Sequence, residues 1–102
     1  MNTQREIQIV DMIKSVCLSK RELLIDKRII LFGSRSGGQN KKRSDFDIGI
    51  LGEKALSIAD FYKLKDALDE LPTLYTIDLV DFNKVSDTFR NEALKNYSVL
   101  YA

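Results

Sequence analysis

The sequence predicts a small α/β (α+β) domain, in which a mixed β-sheet carries helices packed on one face. Amphipathic helical segments alternate with short β-branched or apolar runs along the chain, and residues 45–50 alternate strictly between polar and apolar side chains. With 102 residues, of which 44% are hydrophobic, the chain has the size of a single domain spanning residues 1–102.

The predicted helices have apolar residues at helical spacing and recognisable ends. The first runs from about Thr3 to Lys20. Ser57 begins the second, because an aspartate follows three positions later as in a capping box, and Pro72 ends it. Ser86 is expected to cap a third, short helix.

The predicted strands lie between these helices. Arg28–Phe32 is a short β-branched run that stops at a glycine, as a buried central strand does. Asp45–Ile50 reads as a strand with one buried side, and Leu74–Phe82 as a third strand. Residues 33–44 show no periodicity and are predicted to form a loop, while the final "SVLYA" suggests a short edge strand.

Composition excludes several classes of function. The net charge of +1 gives no global field that would attract nucleic acid or an anionic membrane. The chain has no histidine, which excludes imidazole catalysis and histidine metal sites, and the single cysteine, Cys17, excludes an internal disulfide. There is neither a membrane span nor a signal peptide, so we expect a soluble, cytoplasmic protein.

Asp45 and Asp47 are the main candidates for chemistry. In one strand they would point the same way, about 6.6 Å apart, and repel each other by roughly 2.5 kcal/mol at an effective dielectric constant near 20. Apart from the basic loop, no structural partner is evident for them, whereas a divalent cation such as Mg²⁺ would turn the repulsion into attraction. The alternative is that both simply lie on the solvated face of a strand.

The loop that follows the first strand suits a phosphate group. Gly33 and Ser34 would let backbone N–H groups approach closely, and Arg35 with the basic cluster Lys41–Arg43 would add charge. Ser44 either caps the turn into the next strand or contacts phosphate. Taken by themselves, Gly33, Gly37 and Gly38 favour an ordinary flexible connection. A P-loop is excluded, because glutamine and asparagine follow the last glycine where that motif requires lysine and a hydroxyl residue.

Three motifs in order carry a family resemblance: "FGS" at 32–34, "DFDI" at 45–48 and "IDL" at 77–79. Together they resemble the polymerase-beta-type nucleotidyltransferase superfamily. The compact chain and the "GSRSGG" loop are similar to its minimal nucleotidyltransferase (MNT) branch, many of whose members are antitoxins paired with helical HEPN toxins.

The resemblance implies a mixed sheet with helices on one side and two Mg²⁺ ions at Asp45 and Asp47. It also implies that Gly33 and Ser34 bind a nucleoside triphosphate, and that a third carboxylate assists the acceptor. Branch members often have an arginine where Gly37 stands here, which implies weaker phosphate binding or a larger share for Arg35.

The third carboxylate is either Asp78 or Asp81, since "IDL" and "VDF" both place aspartate between apolar residues. If Ile77 and Leu79 face the helices, Asp78 points to the open face and Asp81 away from it. Parity therefore favours Asp78 as a metal ligand that helps to deprotonate the acceptor, with Asp81 as a solvated strand-end or capping residue.

The leading interpretation is an enzyme that transfers a nucleoside monophosphate, AMP if the donor is ATP, to a hydroxyl group of a HEPN partner protein. No membrane or direct nucleic-acid contact is expected, and the oligomeric state stays open. The alternatives are an antitoxin that acts by binding with little or no transfer, and a nucleotide-sensing subunit.

Overall fold

The computed structural model describes residues 4–33 and 45–102. In this part of the chain, three α-helices and four strands follow in the order α1 (Gln4–Ser19), β1 (Arg28–Phe32), β2 (Phe46–Leu51), α2 (Ile58–Asp69), β3 (Ile77–Asp81), α3 (Asp87–Ala93) and β4 (Tyr97–Tyr101). Short 3₁₀ turns occur at Arg21–Leu23 and Phe82–Lys84. None of these helices is long and apolar enough to cross a membrane.

The four strands form one mixed sheet in the order β3-β2-β1-β4. The pairs β1/β2 and β1/β4 are antiparallel, whereas β2 and β3 are parallel. A parallel pair needs a crossover connection, and α2 supplies it between β2 and β3. The predicted mixed sheet is therefore confirmed, together with the edge strand near residue 100.

The main core lies between one face of the sheet and helices α1 and α2. Phe46, Ile48 and Ile50 point into it and are each at most 1% exposed, as the alternation of residues 45–50 predicted. Ile13 of α1 and Leu64 of α2 close the core from the other side and are fully buried. Burying apolar side chains of this size contributes about 1.5–3 kcal/mol each.

The opposite face of the sheet is not left open along its whole length. Ile30, Phe32 and Leu51 pack there with Phe82, and the last residues of α3 pack against this second cluster. The ring of Phe82 lies so close to Gly49 that a β-carbon would come within 2.5 Å of it. The prediction that the helices pack on one face is thus correct for α1 and α2. Helix α3 covers part of the other face, because the chain after β3 folds back over it.

Helix starts were predicted well, and strand ends less well. Asp60 N–H donates to Ser57 Oγ and Phe89 N–H to Ser86 Oγ, both at 3.1 Å, so both caps are confirmed. The strand predicted at Leu74–Phe82 is shorter, at Ile77–Asp81, and β2 begins one residue after Asp45. A run of strand-forming residues does not show at which residue the backbone hydrogen bonds between strands end and side-chain contacts begin.

Candidate active site

Asp47 and Asp78 are direct neighbours across the parallel strands β2 and β3. Neighbouring strands lie about 4.8 Å apart, and residues in register project from the same face, so the two carboxylates stand side by side. Asp78 is exposed, while the packing of Ile77 and Leu79 on the main core matches the predicted parity. On the other side of Asp47, Phe32 is its partner in β1.

Asp45 lies just before β2 and is hydrogen-bonded to Thr76, the residue that precedes β3. Its Oδ2 accepts hydrogen bonds from Thr76 N at 3.0 Å and Thr76 Oγ1 at 3.4 Å, and its own N–H donates to Thr76 Oγ1 at 2.9 Å. The expectation that Asp45 has no structural partner and lies on the strand face is therefore wrong. Sequence reasoning missed Thr76, because only the register of β2 against β3 brings it to Asp45.

Gly33 lies directly against Asp47. Its φ of +85° is unfavourable for residues with a side chain, and Asp47 Oδ2 fills the space that a β-carbon would need. The glycine at the end of β1 therefore allows backbone and carboxylate to approach closely. The other predicted nucleotide contacts, Ser34, Arg35 and Ser44, lie outside the described residues.

Asp81 points to the opposite face from Asp78 and has a structural role. Its carboxylate accepts hydrogen bonds from Leu56 N at 2.9 Å and Asn83 N at 3.0 Å. The predicted capping role is confirmed, but Asp81 is only 4% exposed and is therefore not a solvated strand end. Buried carboxylates need such partners, and here the partners are backbone amides.

The three candidate carboxylates occupy one end of the sheet on neighbouring elements. Among the residues that the structure describes, no group of three Asp, Glu, Cys or His side chains is arranged to hold a metal ion. Asp47 and Asp78 are brought together, whereas Asp45 is turned to Thr76. A carboxylate offers about four acceptor positions, so bonds to Thr76 and to a hard cation are chemically compatible on Asp45.

A mixed sheet with paired carboxylates on neighbouring strands, next to a glycine that follows a buried strand, fits the nucleotidyltransferase class of protein. The chain belongs to the family described as "Polymerase beta, Nucleotidyltransferase", whose model matches residues 13–102. The resemblance read from the three motifs is thereby confirmed. Family members generally use a divalent metal ion for the transfer.

One curated relative is similar to most of the chain. It is "Probable protein adenylyltransferase MntA" from Haemophilus influenzae, 35% identical over 80 residues, which cover 78% of this chain and 70% of the relative.

Solved toxin–antitoxin structures share the fold. A toxin–antitoxin crystal structure with AMP-PNP has a TM-score of 0.58 at 25% identity, covering 87% of this chain and 73% of that chain. The structure of a tri-AMPylated Shewanella oneidensis HEPN toxin in complex with an MNT antitoxin has a TM-score of 0.61 at 21% identity. The match covers 91% of this chain and 72% of the matched chain.

Proposed function

We propose that this chain is a Mg²⁺-dependent nucleotidyltransferase that transfers AMP from ATP to a hydroxyl group of a partner protein of the HEPN class. The observation that carries the proposal is the position of Asp47, which touches Gly33 on one side and stands beside Asp78 on the other. Transfer from a phosphate donor to a hydroxyl acceptor would need Gly33 and Asp78 to lie at the same site. The relative described as a probable protein adenylyltransferase supports this chemistry, and the fold is shared with a solved complex of an MNT antitoxin and an AMPylated HEPN toxin.

In this proposal each residue has a defined role. Gly33, the residue after β1, contacts the β- and γ-phosphates, with Ser34, Arg35 and Ser44 as further contacts. Asp78 accepts the proton of the acceptor hydroxyl. The hydroxyl oxygen then forms a bond to the α-phosphorus, the bond from that phosphorus to the bridging oxygen breaks, and pyrophosphate leaves.

Asp45, Asp47 and Asp78 would hold two Mg²⁺ ions in this proposal. Carboxylate oxygens are the ligands that Mg²⁺ prefers, and the ions would neutralise the charge that develops on the phosphate oxygens. Thr76 would orient Asp45 through the hydrogen bonds to its carboxylate. A cytoplasmic setting, which supplies ATP and keeps Cys17 reduced, is part of the proposal.

The test is label transfer from [α-³²P]ATP, with Mg²⁺, to the Shewanella oneidensis HEPN toxin. We expect the toxin to become labelled and Asp47→Asn to remove the label. Asp66→Asn, at an exposed position of α2, is the matched control and should transfer normally.

Toxin that binds tightly but stays unlabelled would favour an antitoxin that acts by complex formation alone. Label that survives in Asp47→Asn would refute the assignment of the site.

A further inference from the structure

Four residues, one from each strand, form a row across the face of the sheet that carries the paired carboxylates. Tyr97 of β4 is the register partner of Phe32, and Phe32 is the partner of Asp47. Asp47 is in turn the partner of Asp78. Residues in register project from the same face of a sheet, so this row leads directly from the carboxylates to the side chains of β1 and β4.

Two exposed aromatic side chains lie beside Phe32 on this face. The Phe89 ring of α3 packs nearly at right angles to the Phe32 ring, at a centroid distance of 5.9 Å, and Phe89 is still 40% exposed. Tyr97 is 41% exposed. Phe89 and Tyr97, called the aromatic patch below, therefore present aromatic surface to solvent on the same face as Asp47.

We propose that the aromatic patch binds the base of the donor nucleotide and favours a purine. The inference rests on the proposed function and deepens it: the carboxylate end of the sheet holds the phosphates, and the patch holds the base. Phe89 and Tyr97 contact the nucleoside and not the reacting phosphorus, so they determine donor affinity and specificity.

In-line chemistry sets the direction of the nucleoside. The attacking and leaving oxygens lie roughly in line through the α-phosphorus, from the acceptor beside Asp78 to the pyrophosphate at Gly33. The oxygen that carries the nucleoside lies off that line. A nucleoside that follows the sheet face inward from Gly33 reaches Phe32 and the patch, where the apolar faces of a base are removed from water.

The separation between the carboxylates and the patch suits a ribose and a base. Strand β1 lies between β4, which carries Tyr97, and β2, which carries Asp47. Two strand spacings of about 4.8 Å place these residues about 10 Å apart. A ribose and a base together bridge this distance when the α-phosphate lies at the carboxylates.

The Phe89 ring is held in place before any ligand binds. It packs on Phe32 and, at 5.8 Å, on the fully buried ring of Phe82. A side chain already fixed by its neighbours loses little conformational freedom when a base stacks on it. A purine offers a larger ring system than a pyrimidine and therefore covers more of the aromatic surface.

The experiment measures three affinities by calorimetry: for Mg²⁺-ATP, for Mg²⁺-CTP and for Mg²⁺-tripolyphosphate, which has no base. Phe89→Leu and Tyr97→Leu keep an apolar side chain and remove the ring. Tyr62→Leu is the matched control, because Tyr62 is 53% exposed and belongs to α2, which packs on the opposite face of the sheet. The affinity of each variant for the Shewanella oneidensis HEPN toxin is measured in parallel.

We expect the wild type to bind ATP more tightly than CTP. Each patch variant should lose about fivefold or more in ATP affinity, as removal of one base-stacking ring does, and the preference for ATP over CTP should shrink with it. Tripolyphosphate affinity should stay unchanged, which also shows that the carboxylate end of the sheet is folded. Tyr62→Leu should behave like the wild type in all of these measurements.

Several outcomes would overturn the inference. Unchanged ATP affinity in both patch variants means that the base binds elsewhere. A parallel loss of ATP and tripolyphosphate affinity means that the rings only support Asp47 through Phe32. A loss of toxin affinity with unchanged ATP affinity assigns the patch to the partner protein. Equal wild-type affinities for ATP and CTP would refute the purine preference.

Failure of the proposed function gives a different result. A wild type that binds Mg²⁺-ATP but labels no toxin would refute the transfer, and the ATP affinities of the variants would still decide whether the patch holds the base. A wild type that binds neither Mg²⁺-ATP nor Mg²⁺-tripolyphosphate would refute both proposals.

Discussion

Asp47 Oδ2 occupies the space that a β-carbon on Gly33 would need. Backbone and carboxylate can lie against each other here because Gly33, the residue after β1, has no side chain and adopts a φ of +85°. The contact joins the glycine expected to face phosphate to a carboxylate expected to hold metal.

Gly33→Ala should therefore damage both the fold and the site. The left-handed φ costs about 1 kcal/mol for alanine, and displacing Asp47 adds to this, so we expect a total loss of about 1–3 kcal/mol. Urea denaturation measures the loss, and label transfer should fall with it. Gly52→Ala is the comparison, because its φ is ordinary and a β-carbon there would meet the flexible Lys27 side chain at 3.0 Å and the Asp26 backbone oxygen at 3.2 Å, so we expect a smaller loss. Equal stability of the two variants would contradict this account.

Thr76→Val should weaken transfer with little change in stability. Valine has the shape of threonine but removes the hydroxyl that bonds Asp45, while the bond from the Thr76 backbone N–H stays. Loss of a residue that orients a metal ligand typically costs about 10- to 100-fold. We expect a fall of about tenfold in transfer and a higher Mg²⁺ concentration for half-maximal activity. Thr76→Ser should restore both, and a Mg²⁺ requirement unchanged in Thr76→Val would exclude the positioning role.

Asp78→Asn and Asp81→Asn should have opposite effects. Asp78 is exposed, so its variant should unfold at the same denaturant concentration and yet lose transfer. Asp81 is buried and accepts bonds from two backbone amides, and asparagine would turn an NH₂ donor toward one of them. We expect a loss of about 1–3 kcal/mol in Asp81→Asn, with transfer retained under folding conditions. The reverse pattern would place Asp81 in the active site.

Cys17 should make stability fall at alkaline pH. Burial raises the pKa of its thiol from 9.0 to about 11. Between these two values the unfolded thiol has lost its proton and the folded one has kept it, so the free energy of unfolding decreases as the pH rises. The loss approaches about 2–3 kcal/mol above pH 11. Urea denaturation from pH 8 to 11 should show a steeper decline in the wild type than in Cys17→Ala, and parallel curves would argue against this pKa shift.

Local patterns in the sequence determined most of the elements and much of the core. Alternation along residues 45–50 identified the buried face of β2, and the serines at 57 and 86 identified two helix starts. The two-residue period of a strand, applied to β3, put Asp78 and Asp81 on opposite faces, as the structure has them. Such features depend on the 2.0- and 3.6-residue periods and on caps that bond three residues ahead, all of which are readable from neighbouring residues.

The tertiary structure alone decided the contacts between distant residues. The parallel register of β2 and β3 places Asp47 beside Asp78 and ties Asp45 to Thr76, 31 positions along the chain. The tertiary structure also places α3 over the second face of the sheet and buries Asp81 against Leu56 N–H. Strand register and helix placement depend on pairing and packing between segments far apart in sequence, and a local period carries no information about which partner a segment meets.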